Sequence, residues 1–143
     1  MHIEVCLLMS GVWAIKLNNQ NFMKSERKKL VDRADSLFSS YVRQKNNNVC
    51  EHCGGKASQV HHYLSRRHYL TRWEEDNCLS VCWACHLHWC HSEAEKCRDY
   101  LIARIGGERF HELKKLSNEV AKYSVSDYKE LISELEDKIV KLI

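Results

Sequence analysis

Residues 49–91 read VCEHCGGKASQVHHYLSRRHYLTRWEEDNCLSVCWACHLHWCH, and the spacing of cysteine and histidine within them decides the fold. Two C-x2-C pairs, Cys50/Cys53 and Cys82/Cys85, bracket 28 residues. Each such turn offers two thiolates to a common ion. Four thiolates fill the tetrahedron of one Zn²⁺, close the intervening chain into a loop and make the site structural. A redox-active C-x2-C would need a βαβ pattern that is missing here, and a mixed set drawing on His52 or His86 is the nearest rival. Cys6, Cys78, Cys90 and Cys97 are scattered. With many histidines nearby and no good signal sequence, the eight cysteines point to zinc in a reducing compartment rather than to disulfides.

Within the loop, Gly54-Gly55 suits a knuckle turn. Gln59 to Tyr63 and Cys78 to Cys82 read as short strands, and Ala84 to about Cys90 as a helix. The stretch also carries parts of a hydrolytic site. Hydrolysis of a phosphodiester with a metal needs a cation on the scissile phosphate and a base to activate water. Adjacent histidines on a strand, His61 and His62, point to opposite sides, so one can ligate a metal while the other addresses water. Asn77 can tie the loop and orient the base. His86, directly after the last zinc cysteine, opens the following helix and can supply a second metal ligand. His88 and His91 lie on the same helix and could replace it, while His52 reads as a surface residue.

Outside the loop the chain is helical. Ser25 to Lys45 places Leu30, Val31, Ala34, Leu37, Phe38, Tyr41 and Val42 at helical spacing, and Asn46-Asn47-Asn48 ends the run. Ser92-x-x-Glu95 predicts a capping box opening a helix to Ile105, stopped by Gly106-Gly107. A helix over Glu108 to Lys122 presents Phe110, Leu113, Leu116 and Val120. The last, from near Ser126, presents Tyr128, Leu131, Ile132, Leu135, Ile139 and Leu142. If exposed, that final stripe would make a homodimer seam. Val5 to Ile15 is apolar but too short to span a bilayer, and reads as a short strand or a dispensable extension. Met23, at the head of the patterned helix, is a second candidate start. The expected organisation is an extension (1–22), an N-terminal helix (23–48), a zinc-bound module (49–91) and C-terminal helices (92–143). The fold class is small α+β.

Net charge is only +3, but it is unevenly spread. Residues 24–72 carry eleven Lys/Arg against four Asp/Glu, and residues 73–143 carry ten against fourteen. A basic half that includes the first C-x2-C implies a polyanionic partner such as nucleic acid. Arg66, Arg67 and Arg72 follow the histidine pair, and their guanidinium forks suit phosphate oxygens. The bland alternative is ion pairing with Glu74, Glu75 and Asp76. Trp73, Trp83 and Trp89 are expected to pack the small core.

The order C-x2-C, His-His, Asn, C-x2-C-His, with His86 nine positions after Asn77, resembles the HNH endonuclease family and its ββα-metal fold. The resemblance implies a first metal ligand at His61, a general base at His62, a loop-fixing role for Asn77 and a second metal ligand at His86. More narrowly, Phe38-Ser39-x-Tyr41-Val42-Arg43, Ser65-Arg66-Arg67-His68, Thr71-Arg72-Trp73, Asp76-Asn77-Cys78 and both C-x2-C pairs are similar to the NinG/Rap-type recombination nucleases of bacteriophages. That similarity implies cleavage of duplex or branched DNA in the cytoplasm of a bacterium or phage-infected host, with no membrane partner. Many HNH members carry Asp where His61 stands, and the phage group carries Gly-His at 61–62 and Asn at 86. An all-imidazole set favours Mn²⁺, Ni²⁺, Co²⁺ or Zn²⁺ over Mg²⁺. The alternative function is a non-catalytic zinc-ribbon DNA-binding protein, with the histidines structural.

Overall fold

The computed structural model describes residues 3–143, with side chains described from residue 19 onward. Helix α1 (Ile3–Lys45) is one continuous element, so the boundary expected at residue 23 is crossed by helix, and no strand forms over Val5 to Ile15. It ends where the sequence indicates. Asn47 and Asn48 both take positive φ, 56° and 55°, a conformation that Asn tolerates better than most residues. Among the described residues no helix is long and apolar enough to cross a membrane.

The zinc-type knuckle follows. Cys50 N–H donates to the Gly55 carbonyl at 2.7 Å and Gly54 N–H to the Cys50 carbonyl at 2.9 Å, with Gly54 at φ 74° making the reversal. Strands β1 (Gln59–His62) and β2 (Cys78–Val81) pair antiparallel, with His61 opposite Leu79 and His62 opposite Cys78. The loop between them holds helix α2 (Tyr69–Arg72) and a 3-10 turn at Glu75–Asn77. Helix α3 (Trp83–Cys85) runs directly into a π-helical segment, His86–His91, followed by α4 (Ala94–Ile105), α5 (Gly107–Ser117) and α6 (Val125–Val140). The molecule is therefore a small α+β protein, mostly helical around one two-stranded sheet.

Two apolar clusters cover the sheet from opposite sides. Leu79, Val81, Cys85, Trp89, Cys90, Cys97, Leu101 and Phe110 form the first, under α4 and α5. The second joins α1 to α6 through Ala34, Phe38, Tyr41, Val42 and Leu135, with Leu131, Ile132 and Ile139 packed against it. Leu131, Ile132, Leu135 and Ile139 of the α6 stripe therefore pack inside the chain, against α1, rather than forming an open seam. Glu51 locks the knuckle to this frame: its carboxylate accepts from Ser80 N–H at 2.6 Å and from Arg104 Nη1 at 2.6 Å.

Several local expectations fail for identifiable reasons. Ser92 does not cap a helix; its hydroxyl donates to the Leu87 carbonyl at 3.1 Å, and the α4 N-cap is Glu93 without a side-chain bond. The capping box forms instead at Ser124, whose Oγ accepts from Asp127 N–H while Asp127 accepts from Ser124 N–H. Helix α5 stops at Ser117, which leaves Val120 87% exposed rather than on the buried face. Trp89 and Trp73 pack as expected, but Trp83 is 60% exposed on the outer side of α3.

Candidate metal and catalytic site

The four knuckle cysteines converge. The sulfur atoms of Cys50, Cys53, Cys82 and Cys85 lie within 4.8 Å of one another, and Cys53 Sγ stands 3.8 Å from Cys82 Sγ. A tetrahedral ion with bonds of about 2.3 Å to sulfur has an edge of about 3.8 Å, so the donor set fits Zn²⁺. Cys82 also accepts from Cys85 N–H at 3.4 Å, which starts α3 at the ligand itself. His52 is exposed, as expected, and borders the cysteine group: its Nδ1 lies 3.3 Å from Cys85 Sγ and its ring stacks on Trp89 at 4.3 Å. Were the four sulfurs to hold an ion, an imidazole N–H there would steady the Cys85 thiolate from the outer layer that metal ligands commonly need.

The second cluster is built of imidazoles. His61, His86 and His91 bring donor nitrogens within 4.8 Å of one another, with ring centroids 4.8 to 5.3 Å apart. His61 is 7% exposed on β1, and the other two come from the helical segment beyond β2. In an α-helix, residues five apart sit about 140° round from one another and could not share a face. The π-helical segment removes that obstacle, because its i→i+5 hydrogen bonding returns His91 to the side of His86. His91 thus joins His61 and His86, rather than replacing one of them, and His88 lies outside the group. Gln59 Oε1 contacts His86 Nδ1, and since that oxygen can only accept, Nδ1 carries the proton and Nε2 keeps the lone pair. Burial, then the neighbouring His61 and His91, lowers the His86 pKa and favours the neutral ligand form.

His62 points to the opposite side of β1, with its ring 6.0 Å from Phe38 of α1. Its Nε2 lies 2.9 Å from the Arg72 carbonyl, which can only accept, so Nδ1 retains the lone pair. Burial pushes its pKa down to about 4, with the Arg66 charge adding to the shift and the Arg72 carbonyl opposing it. The ring is neutral at pH 7. His61, His62, His86 and His91 nevertheless line one cleft of about 760 Å³, together with Asp35, Ser39, Ser65 and Arg66.

Asn77 is fully buried and closes the loop that carries Arg72. Its Oδ1 accepts from Leu64 N–H at 2.7 Å, and its Nδ2 donates to the Leu64 and Thr71 carbonyls at 3.0 Å each. Its amide makes no hydrogen bond to the His62 ring. The loop's backbone, through Arg72, does the orienting that the sequence reading gave to the amide.

Residues 15–143 match the protein family described as Bacteriophage Lambda NinG protein. The chain belongs to that family. The matched span contains both C-x2-C pairs, the three clustered imidazoles and His62, so every part of the site lies within the NinG region. No curated protein and no solved structure matches the chain.

The three arginines assigned to DNA separate. Arg66 and Arg67 are exposed; Arg66 lines the cleft, with its side chain 62% exposed and only a 3.8 Å approach to Asp35. Arg72 is a correction: its side chain is 13% exposed, its Nε and Nη2 donate to Asp35 at 2.9 and 2.5 Å, and its Nη1 donates to the Arg66 carbonyl at 2.9 Å. Its guanidinium is committed to pinning the loop on α1, with Trp73 Nε1 adding a 3.0 Å bond to the same carboxylate. Glu74 and Asp76, the expected rivals for these arginines, pair with Arg109 of α5 instead.

Proposed function

We propose that this NinG-family chain is a metal-dependent HNH-type endonuclease that hydrolyses DNA phosphodiesters, with branched recombination intermediates as its preferred substrate. One observation carries the reading: three imidazoles converge in a cleft whose wall also holds a neutral, oriented histidine, His62. The strand–strand–helix order around the cleft, with adjacent histidines on β1 and two more beyond β2, supports it.

His61, His86 and His91 would hold one divalent ion, for which imidazoles suit Mn²⁺, Ni²⁺ or Zn²⁺. Such an ion supplies positive charge to the scissile phosphate and to the departing 3′ oxygen. His62 acts as the base: its Nδ1 lone pair takes a proton from water, which attacks phosphorus in line. A base with a pKa near 4 is a weak one when the cleft is empty. A bound phosphate raises it, because the anion favours imidazolium beside it. Asn77 and Arg72 are positioning residues, holding the loop whose carbonyl orients the His62 ring. Arg66, on the cleft wall, and the exposed Arg67 next to it in sequence would contact the phosphate backbone and place the duplex without reading its sequence.

The test is cleavage of supercoiled plasmid and of a synthetic four-way junction by the zinc-loaded chain, with Mg²⁺, Mn²⁺, Ni²⁺ or EDTA. Metal-dependent nicking, faster on the junction, is the expected result. Binding to DNA with no cleavage under any metal would refute the nuclease and leave a zinc-ribbon DNA-binding protein.

A further inference from the structure

His61 belongs to two clusters. Besides His86 and His91, it groups with Cys90 and Cys97, and the donor atoms of this second trio also lie within 4.8 Å of one another. All three are buried, His61 at 7%, Cys90 at 3% and Cys97 at 1% exposure. Cys90 comes from the π-helical segment and Cys97 from α4, so the pair closes the corner between those helices directly behind β1. A buried thiol by itself is usually a small apolar filler. Cys78 is that kind of residue, set in the other cluster beside Phe38 and Leu135. Two thiols gathered on one imidazole are a different chemical object: sulfur, sulfur and nitrogen donors converging from three elements.

We propose that His61, Cys90 and Cys97 form a second, buried site for a soft, thiophilic ion such as Zn²⁺, Cd²⁺ or Cu⁺, sharing His61 with the cleft. Thiolate donors select soft ions, whereas the all-imidazole cleft set takes borderline ones. A neutral imidazole lends one lone pair to one ion, so the two sites exclude each other. Filling the buried site withdraws His61 from the cleft and weakens metal binding there. This last consequence deepens the nuclease reading; the buried site stands without it.

The experiment is a ¹¹³Cd NMR titration of the full chain, with the four knuckle cysteines loaded first. Wild type is expected to show a four-thiolate resonance, then a second at the position of two-sulfur, one-nitrogen coordination. The second should vanish in Cys90→Ser/Cys97→Ser and persist in His86→Ala/His91→Ala. A wild-type spectrum at saturation without any resonance of two-sulfur, one-nitrogen type overturns the site, whether or not the serine variant folds. Mn²⁺ binding followed by EPR reads the shared ligand: one further equivalent of Cd²⁺ should weaken it at least ten-fold in wild type. Unchanged Mn²⁺ affinity with the buried site filled overturns the sharing. A chain that gives both expected results yet cuts no DNA keeps this site and loses the nuclease.

Discussion

Replacing Asn77 by alanine removes three hydrogen bonds from a fully buried position. The lost contacts are from Leu64 N–H at 2.7 Å and to the Leu64 and Thr71 carbonyls at 3.0 Å each. A neutral hydrogen bond contributes about 1 kcal/mol net, and a buried donor left unpaired costs about 1–3 kcal/mol. Thr71 O keeps other donors, Trp73 N–H and Glu74 N–H, so its loss is mild, whereas Leu64 N–H has no other partner. The sum is about 3–4 kcal/mol, which in a protein of this size lowers Tm by about 10 °C. Urea unfolding at fixed zinc, followed by tryptophan fluorescence, measures it. The aspartate variant sharpens the test. Asn77→Asp keeps the acceptor for Leu64 N–H but turns a carboxylate oxygen toward two carbonyls. It should be as unstable as the alanine variant at pH 7 and regain part of the loss on acidification, as the raised carboxyl takes up a proton. A loss under about 1 kcal/mol for Asn77→Ala, on the same reasoning, would show that the loop carrying Arg72 is held by something else.

Arg72→Ala should destabilise the fold by about 2–4 kcal/mol by stranding Asp35, while Arg66→Ala/Arg67→Ala leaves stability unchanged. In a salt series the double variant should bind DNA more weakly and flatten the slope of log K by about 0.9 per lost contact; equal slopes would remove both residues from the DNA interface. Glu75 gives a pH signature. Burial opposes ionisation, but hydrogen bonds from Lys45 and Tyr41 and the Lys138 charge hold its carboxyl below the usual value. Its contribution is complete above the ordinary Glu value of about 4.3 and fades as pH falls through the lower folded value, so Glu75→Gln should be less stable at pH 7 with a shallower acid limb. Ending the chain at Ser124 uncovers Phe38 and Ala34 and deletes Leu135. Burial of each large apolar side chain is worth about 1.5–3 kcal/mol, so the truncated chain should unfold or aggregate; a stable, monomeric product would contradict the α1–α6 packing.

The cysteines were legible because ligand spacing is local: two residues between thiols set a knuckle whatever surrounds it. His61 and His62 were legible because strand alternation alone separates their directions. His91 was harder. Its five-residue offset from His86 is wrong for an α-helix, and only the π-helical turn makes it right, a backbone choice that side-chain periodicity does not report. Arg72 resembled its neighbours Arg66 and Arg67 as a string of basic residues. Its partner Asp35 lies 37 positions earlier on another helix, where no local rule reaches. The α6 stripe was visible as apolar, but its partner was not, since a stripe reads the same whether it meets α1 or a second copy. Ser92 lost its cap because the π-helical turn before it offered a nearer carbonyl, Leu87 O.

The most direct measurement is His62→Ala assayed in one preparation for cleavage and for binding, at matched zinc content. If His62 is the base, Mn²⁺-dependent nicking should fall by about 10²–10⁴-fold, while DNA affinity stays near wild type and Tm falls by only a few degrees through loss of the Arg72 carbonyl contact. A His62→Ala chain that nicks plasmid at the wild-type rate would contradict the account at its centre.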